Sequence, residues 1–204
     1  MAFEDEEIGY NPFNFELAKV LINDSVQREA LTPREQKLFL DFVKNDKHFS
    51  KYYDGIFILF KTGLRISEFC GLTVHDINFE EHTFSVNNQL QRTREGKYII
   101  VPTKTSAGKR ILPMTGEVEE HFRKIIEDRE KPRIEPMIDG KSGFLYLDKN
   151  GNPSLALHWA HYFKHICQKY NGIYKVQMPT VTPHVCRHTY CSNMAKSGMN
   201  PKTL

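Results

Sequence analysis

Two short islands in the chain hold residues that could do chemistry together. The first is Thr62-Gly63-Leu64-Arg65-Ile66-Ser67-Glu68-Phe69-Cys70-Gly71-Leu72, and the second is Thr182-Pro183-His184-Val185-Cys186-Arg187-His188-Thr189-Tyr190. Arg65 follows a nearly all-apolar run, where a guanidinium needs an anionic partner. Glu68, three residues on, shares its helical face and can be that partner. His184 and Arg187 are also three apart, beside a helix start whose N–H groups and dipole favour a phosphate. Alone, Arg-x-x-Glu is usually a structural ion pair, and His-x-x-Arg is usually surface. Together they supply parts for phosphoryl transfer: two arginines to hold non-bridging oxygens, and a histidine with a nearby lysine to move protons.

The charge pattern names a class of partner. The 204 residues carry a net charge of +3. Residues 1–31 hold seven acids and two bases, which leaves the remainder strongly basic. Between Gln89 and Leu112, Arg92, Arg94, Lys97, Lys104, Lys109 and Arg110 face only Glu95. Such a stripe suits a polyanion such as DNA, although a solvated basic hairpin has the same composition.

The elements that position these residues are legible from their boundaries. Thr32-Pro33-Arg34-Glu35 reads as a helix start, with Thr32 as N-cap and Glu35 closing a capping box. A second helix, about 52–62, is apolar nearly all round and stops at Gly63. Three β runs follow, at Thr83–Asn87, Lys97–Pro102 and Arg110–Leu112, and Thr103–Lys109 reads as a hairpin turn. Further helices are expected at about 117–129 after Thr115, at 155–170 capped by Ser154, and from Thr182-Pro183 to Gly198. Residues 131–142 read as a loop, and 15–22 as a short helix. Asn200-Pro201 looks like another helix start, so the chain is expected to be a piece of a longer protein.

At this point the sequence resembles a family, the tyrosine recombinases, in particular integrases of phages and conjugative transposons. The first island matches Gly-Leu-Arg-x-x-Glu-x-x-x-Leu, followed by Asp76-Ile77. Pro102-Thr103-Lys104-Thr105-Ser106-Ala107-Gly108-Lys109-Arg110-Ile111-Leu112-Pro113 is similar to the hairpin carrying the family's lysine. The second island matches its His-x-x-Arg box, continued by His188-Thr189.

The resemblance implies an α+β fold, mainly α, with a small antiparallel sheet on one side. It implies an acidic lead and linker over 1–31, like the tail of a core-binding domain, and a catalytic domain over 32–204. Arg65 and Arg187 would hold the scissile phosphate, Lys104 would protonate the leaving 5′-oxygen, and His184 would assist proton transfer. Glu68 and His188 would support them, and Arg92, Arg94, Lys97, Lys109 and Arg110 would bind DNA. The activity implied is site-specific DNA breakage and rejoining through a 3′-phosphotyrosine, with no cofactor. Partners implied are double-stranded DNA, further protomers in a synaptic tetramer, and an excision factor, in the cytoplasm of a bacterial cell.

The family's Leu-Gly-His box and its following nucleophilic tyrosine find no match. The nine tyrosines are Tyr10, Tyr52, Tyr53, Tyr98, Tyr146, Tyr162, Tyr170, Tyr174 and Tyr190, none in that context. The nucleophile is therefore expected to be absent and this chain inactive in strand cleavage by itself. Two alternatives stand beside this reading: a catalytically silent DNA-binding module, and a nicking enzyme like the type IB topoisomerases.

Other constellations are weaker. His184, Cys186, His188 and Cys191 invite a zinc reading, but Cys186 points elsewhere on a helix and no Cys-x-x-Cys pair exists. His188 reads instead as a hydrogen-bonded core histidine. The acids Glu117, Glu119, Glu120, Glu127 and Asp128 read as a solvated face, and Trp159, Phe163 and Ile166 as core. No Gly-rich phosphate loop, signal peptide or 18-residue apolar stretch is visible. The four cysteines show no framework and read as reduced thiols.

Overall fold

A computed structural model describes residues 30–103 and 108–199. Expectations for the acidic lead, for 15–22, for Lys104 and for Asn200-Pro201 lie outside these residues.

Helix α1 spans Pro33–Asn45. Thr32 Oγ1 accepts from the Glu35 N–H, and Glu35 Oε2 accepts from the Thr32 N–H at 2.8 Å. This capping box contributes about 1 kcal/mol. The chain just before it is tied down too, because the Leu31 N–H donates to the buried Thr189 Oγ1 at 3.0 Å. A 3₁₀ turn, Ser50–Tyr52, leads into helix α2, Tyr53–Thr62. Gly55 through Phe60 are all buried, as expected of a helix apolar all round. Gly63 ends it in the left-handed region at φ 63°.

Helix α3, Ile66–Cys70, follows at once, and a second 3₁₀ turn, Val74–Asp76, leads to strand β1, Ile77–Asn78. Then come β2 (Thr83–Val86), β3 (Asn88–Arg92), β4 (Tyr98–Pro102) and β5 (Arg110–Pro113). Three long helices complete the described chain: α4 (Gly116–Asp128), α5 (Ala156–Ile173) and α6 (Pro183–Lys196). Thr115 and Thr182 cap α4 and α6 through their side chains, as their sequence positions predict.

The core lies between the helices. Phe39 of α1 stacks on Phe163 of α5 at 5.8 Å and meets Phe60 of α2 edge-on at 6.1 Å. Trp159, fully buried, takes Phe69 and Tyr146 edge-on at 5.2 and 5.0 Å. Aromatic pairs in these geometries add about 0.5–1.5 kcal/mol each beyond burial. Thus the short helix α3 is wedged through Phe69 against the largest side chain of α5, and α3 follows Arg65.

The β part departs from expectation in three ways. It is two small antiparallel sheets, one ordered β1-β2-β5 and the other β3-β4. Strands β1 and β3 lie outside the three expected runs, and in β3 Asn88-Gln89-Leu90-Gln91-Arg92 has poor strand propensity. Tertiary pairing overrides it: Asn88 to Arg92 run in register with Pro102 to Tyr98. Backbone contact with α3 helps, since a Cβ on Gly71 would sit 3.0 Å from the Leu90 nitrogen. Finally, Thr103–Lys109 is not the turn of a hairpin. β4 pairs with β3 while β5 pairs with β2, so these two strands do not pair with one another among the described residues, and 104–107 lie outside those residues. The hairpin is β3–β4, closed at Thr93–Gly96, where Arg92 Nε donates to the Gly96 carbonyl at 2.9 Å.

Ser154 is not the cap of α5. That position is Leu155, whose N–H donates to His158 Nδ1 at 3.3 Å, while Ser154 bonds back to the Tyr146 carbonyl through its N–H.

Candidate active site

Glu68 is the centre around which the first island is built. Its side chain is fully buried, yet it is charged. Burial pushes its carboxyl pKa up, but hydrogen bonds from Arg110, from the Arg65 N–H and from the Arg65 guanidinium hold it below the ordinary glutamate value. A buried carboxylate is tolerated only with such partners. Arg65 donates twice: its N–H to Oε2 at 3.0 Å and its Nη1 to Oε1 at 3.0 Å. Arg110 donates from Nη2 to Oε2 at 2.9 Å and from Nη1 to Oε1 at 3.3 Å. The Arg65 side chain is 52% exposed while Glu68 is covered, so the guanidinium is gripped from below and presented outward.

The second island arrives on α6. Val185, Cys186 and Thr189 are buried, so this face packs inward. His184 and His188 are exposed, and Arg187 is half-buried between them. His188 is therefore not a core histidine, because it lies outside the inward stripe formed by 182, 185, 186 and 189. Arg187 reaches back to α2: its Nη1 donates to the Gly63 carbonyl, two positions before Arg65. The ring of Tyr190 covers the same turn, with its Cδ1 only 2.3 Å from where a Gly63 Cβ would stand. The structure therefore brings the Arg187 side chain to the turn that launches Arg65.

Lys104 itself lies outside the described residues. The residues on either side of the gap, Thr103 and Gly108, lie against one another: a Cβ on Gly108 would be 2.5 Å from that of Thr103. The Gly108 carbonyl accepts from Arg110 Nη1 at 2.9 Å. Arg94, Lys97 and Lys109 are exposed, and Arg92 is exposed while closing the β3–β4 turn. Arg110 differs from its expected part in a DNA-facing stripe. Its charge is spent on Glu68, and it is 25% exposed. No spacing rule could have found this pair, whose members are 42 positions apart. Sequence reading also missed Ser67, whose hydroxyl donates to Gln89 Oε1 at 3.1 Å and ties α3 to β3.

The cleft lined by Leu38, Phe42, Tyr170, Tyr174 and Val176 holds none of these residues. Among the described residues no group of His, Cys, Asp or Glu forms a metal cluster. Burial pushes the thiol pKa values of Cys70, Cys167 and Cys186 upward, which makes them poor thiolates.

Residues 29–204 match the profile of the phage integrase family. The chain belongs to that family. It is 42% identical over its whole length to the transposase of transposon Tn916 from Enterococcus faecalis, spanning half of that protein. It is 24% identical to the tyrosine recombinase XerA of Pyrococcus furiosus over 86% of this chain and 51% of that one. In three dimensions it resembles the Tn1549 transposon integrase bound to transposon right end DNA. The TM-score is 0.90 and the identity 42%, covering 99% of this chain and 64% of the other. A crystal structure of XerA recombinase shares the fold at 19% identity, TM-score 0.61, covering 88% of this chain and 53% of that one. The mainly helical architecture with small antiparallel sheets is thus that of tyrosine recombinase catalytic domains. The chain spans about half the length of the curated relatives it matches. No helix among the described residues is long and apolar enough to cross a membrane.

Proposed function

We propose that residues 32–204 form most of the catalytic domain of an integrase that breaks and rejoins DNA at specific sites, for integration or excision of a mobile element such as a conjugative transposon. The observation that carries this is the convergence of two arginines from distant islands on one turn. Arg65 is held outward by buried Glu68, and Arg187 is anchored on the Gly63 carbonyl. Two guanidinium forks, one held on Glu68 and the other bonded to the turn two positions before Arg65, would suit the two non-bridging oxygens of a phosphodiester.

In the proposed reaction a tyrosine outside this chain's nine attacks phosphorus from its hydroxyl oxygen. Its phenolic proton leaves with the help of His184. Arg65 and Arg187 balance the charge growing on the pentacoordinate phosphorus oxygens. The bond from phosphorus to the 5′-oxygen breaks, its electron pair stays on that oxygen, and the Lys104 ammonium supplies the proton. The product is a 3′-phosphotyrosyl ester and a free 5′-hydroxyl. This ester keeps the energy of the phosphodiester, so rejoining is the same sequence reversed and no step consumes ATP. Exposed Arg94, Lys97 and Lys109, with Arg92, would hold the duplex by its phosphates. Assembly of several protomers on DNA, help from an excision factor and a cytoplasmic location belong to the same proposal.

The test is a suicide DNA substrate read on a denaturing gel. Full-length protein is expected to form a covalent band, and its Arg65→Ala and Arg187→Ala variants are expected to lose it. Residues 1–204 alone are expected to give none. A band from residues 1–204 would place the nucleophile among the nine tyrosines and overturn the reading of the missing tyrosine.

A further inference from the structure

We infer that Tyr190 is a positioning residue of the cleavage reaction, acting through its ring on the Gly63 turn that anchors Arg187 and launches Arg65. This deepens the reading above and rests on it, since it takes those two arginines as the phosphate clamp. Two contacts meet on one glycine. Arg187 Nη1 donates to the Gly63 carbonyl. A Cβ on the same glycine would lie within 3.0 Å of Cγ, Cδ1 and Cε1 of Tyr190. Residues 187 and 190 are three apart on α6 and so share a face. That face therefore meets Gly63 twice, with a guanidinium on its carbonyl and an aromatic ring in the space a side chain would take.

Both sides of this contact are tied down. Gly63 ends α2 at φ 63°, and its N–H donates to the Leu59 carbonyl at 3.2 Å. Leu64, which alone separates Gly63 from Arg65, is fully buried. The Arg65 N–H is fixed on buried Glu68 at 3.0 Å. A shift of Gly63 is therefore passed to Arg65 through a short, covered stretch of chain. On the other side Thr189 is fully buried. Its hydroxyl donates to the Val185 carbonyl at 2.8 Å and accepts from the Leu31 N–H at 3.0 Å, which holds the rotation of α6 beside Tyr190. Removing the ring leaves a gap between α6 and the turn, and packed neighbours close such gaps only in part, by moving. The carbonyl that Arg187 uses would move with them. The contact is made by ring carbons, so the ring carries this role. A nucleophile, by contrast, would work through its phenolic oxygen.

The experiment separates this role from general support of the fold. Full-length protein and its Tyr190→Phe, Tyr190→Leu and Tyr190→Met variants are compared in single-turnover cleavage and in equilibrium DNA binding, below the unfolding temperature of each. Tyr190→Phe keeps the ring and should cleave within a few-fold of wild type. Tyr190→Leu and Tyr190→Met fill the space without a ring and should be slower by about 10²-fold, the cost of a displacement of about 1 Å at a reacting centre. Their DNA affinity should change only a few-fold. If one of these two fails to fold, the other decides. In an Arg187→Lys background, where one side chain can no longer serve carbonyl and phosphate together, the same replacements should cost only a few-fold more, because the two residues act on one turn. A Tyr190→Phe variant as slow as Tyr190→Leu would make the hydroxyl the working group and overturn the inference. So would ring-less variants as fast as wild type, a loss confined to affinity, or a loss that multiplies in full with that of Arg187→Lys. If Arg65→Ala and Arg187→Ala still form the covalent band, the phosphate-clamp reading itself fails, and that outcome is distinct from failure of Tyr190 alone.

Discussion

Arg187 donates through Nη1 to the backbone carbonyl of Gly63, across 124 positions of sequence. The arginine of the second island is thereby indexed on the turn that launches the arginine of the first. The anchor of Arg187 is a main-chain acceptor rather than a flexible side chain.

Replacing Arg187 by lysine tests that geometry. A lysine ammonium can serve the Gly63 carbonyl or a phosphate, but lacks the planar fork for both. In full-length protein, Arg187→Lys should lower the cleavage rate by ~10²–10³ while DNA affinity changes only a few-fold. Single-turnover cleavage and equilibrium binding at fixed salt read the two effects. A loss confined to affinity would mean that Arg187 is only a docking charge.

Gly63→Ala should be damaging for two separable reasons. At φ 63° a Cβ costs about 1–2 kcal/mol. The same Cβ would stand 2.3 Å from Tyr190 Cδ1, which forces α6 to move. Thermal unfolding of Gly63→Ala, Tyr190→Ala and the double variant forms a cycle. Without the tyrosine ring only the backbone cost remains, so the double variant should be more stable than the sum of the single losses predicts.

Glu68 makes stability depend on pH. Its pKa is lowered on balance, because its three hydrogen-bonding contacts outweigh burial. A carboxylate of this kind stabilises the fold fully above its unfolded value of ~4.3, and that share is lost as pH falls through the folded value. Glu68→Gln should be less stable than wild type by about 1–3 kcal/mol at pH 7. The gap should narrow as pH drops below 4.3. Denaturant unfolding at several pH values measures it, and a gap independent of pH would refute the charged, paired state.

The β3–β4 tip should govern non-specific DNA affinity. Arg94 and Lys97 are exposed there, whereas Arg92 shapes the turn by bonding the Gly96 carbonyl. The double variant Arg94→Glu/Lys97→Glu should weaken binding about equally for all sequences and flatten the log–log salt slope by about 2. Titrations at several salt concentrations decide this. An unchanged slope would place the duplex elsewhere.

Much of this architecture is written locally. Thr32 with Glu35, Gly63, Thr115 and Thr182-Pro183 each mark a helix end through an interaction spanning no more than four residues, and the helices begin or stop there. The apolar run after Tyr53 is buried throughout, as its composition requires. The types and order of Arg65, Glu68, His184 and Arg187 point to phosphate chemistry, and the family resemblance rests on the same residues.

Other features depend on partners distant in sequence. Polar β3 becomes a strand only because β4 pairs with it and Gly71 lets α3 approach. The 103–109 segment reads as a hairpin turn from its composition, but the strands on either side of it, β4 and β5, pair with different partners. His188 looks like a core residue by its neighbours, yet the helical phase of α6 turns it outward. Arg110 reads as one more charge in a basic stripe until the fold brings it to Glu68. A sequence pattern records periodicity, caps and breaks, which are short-range. It does not record which buried charge a distant side chain will meet, because that is settled only when packing removes the water between them.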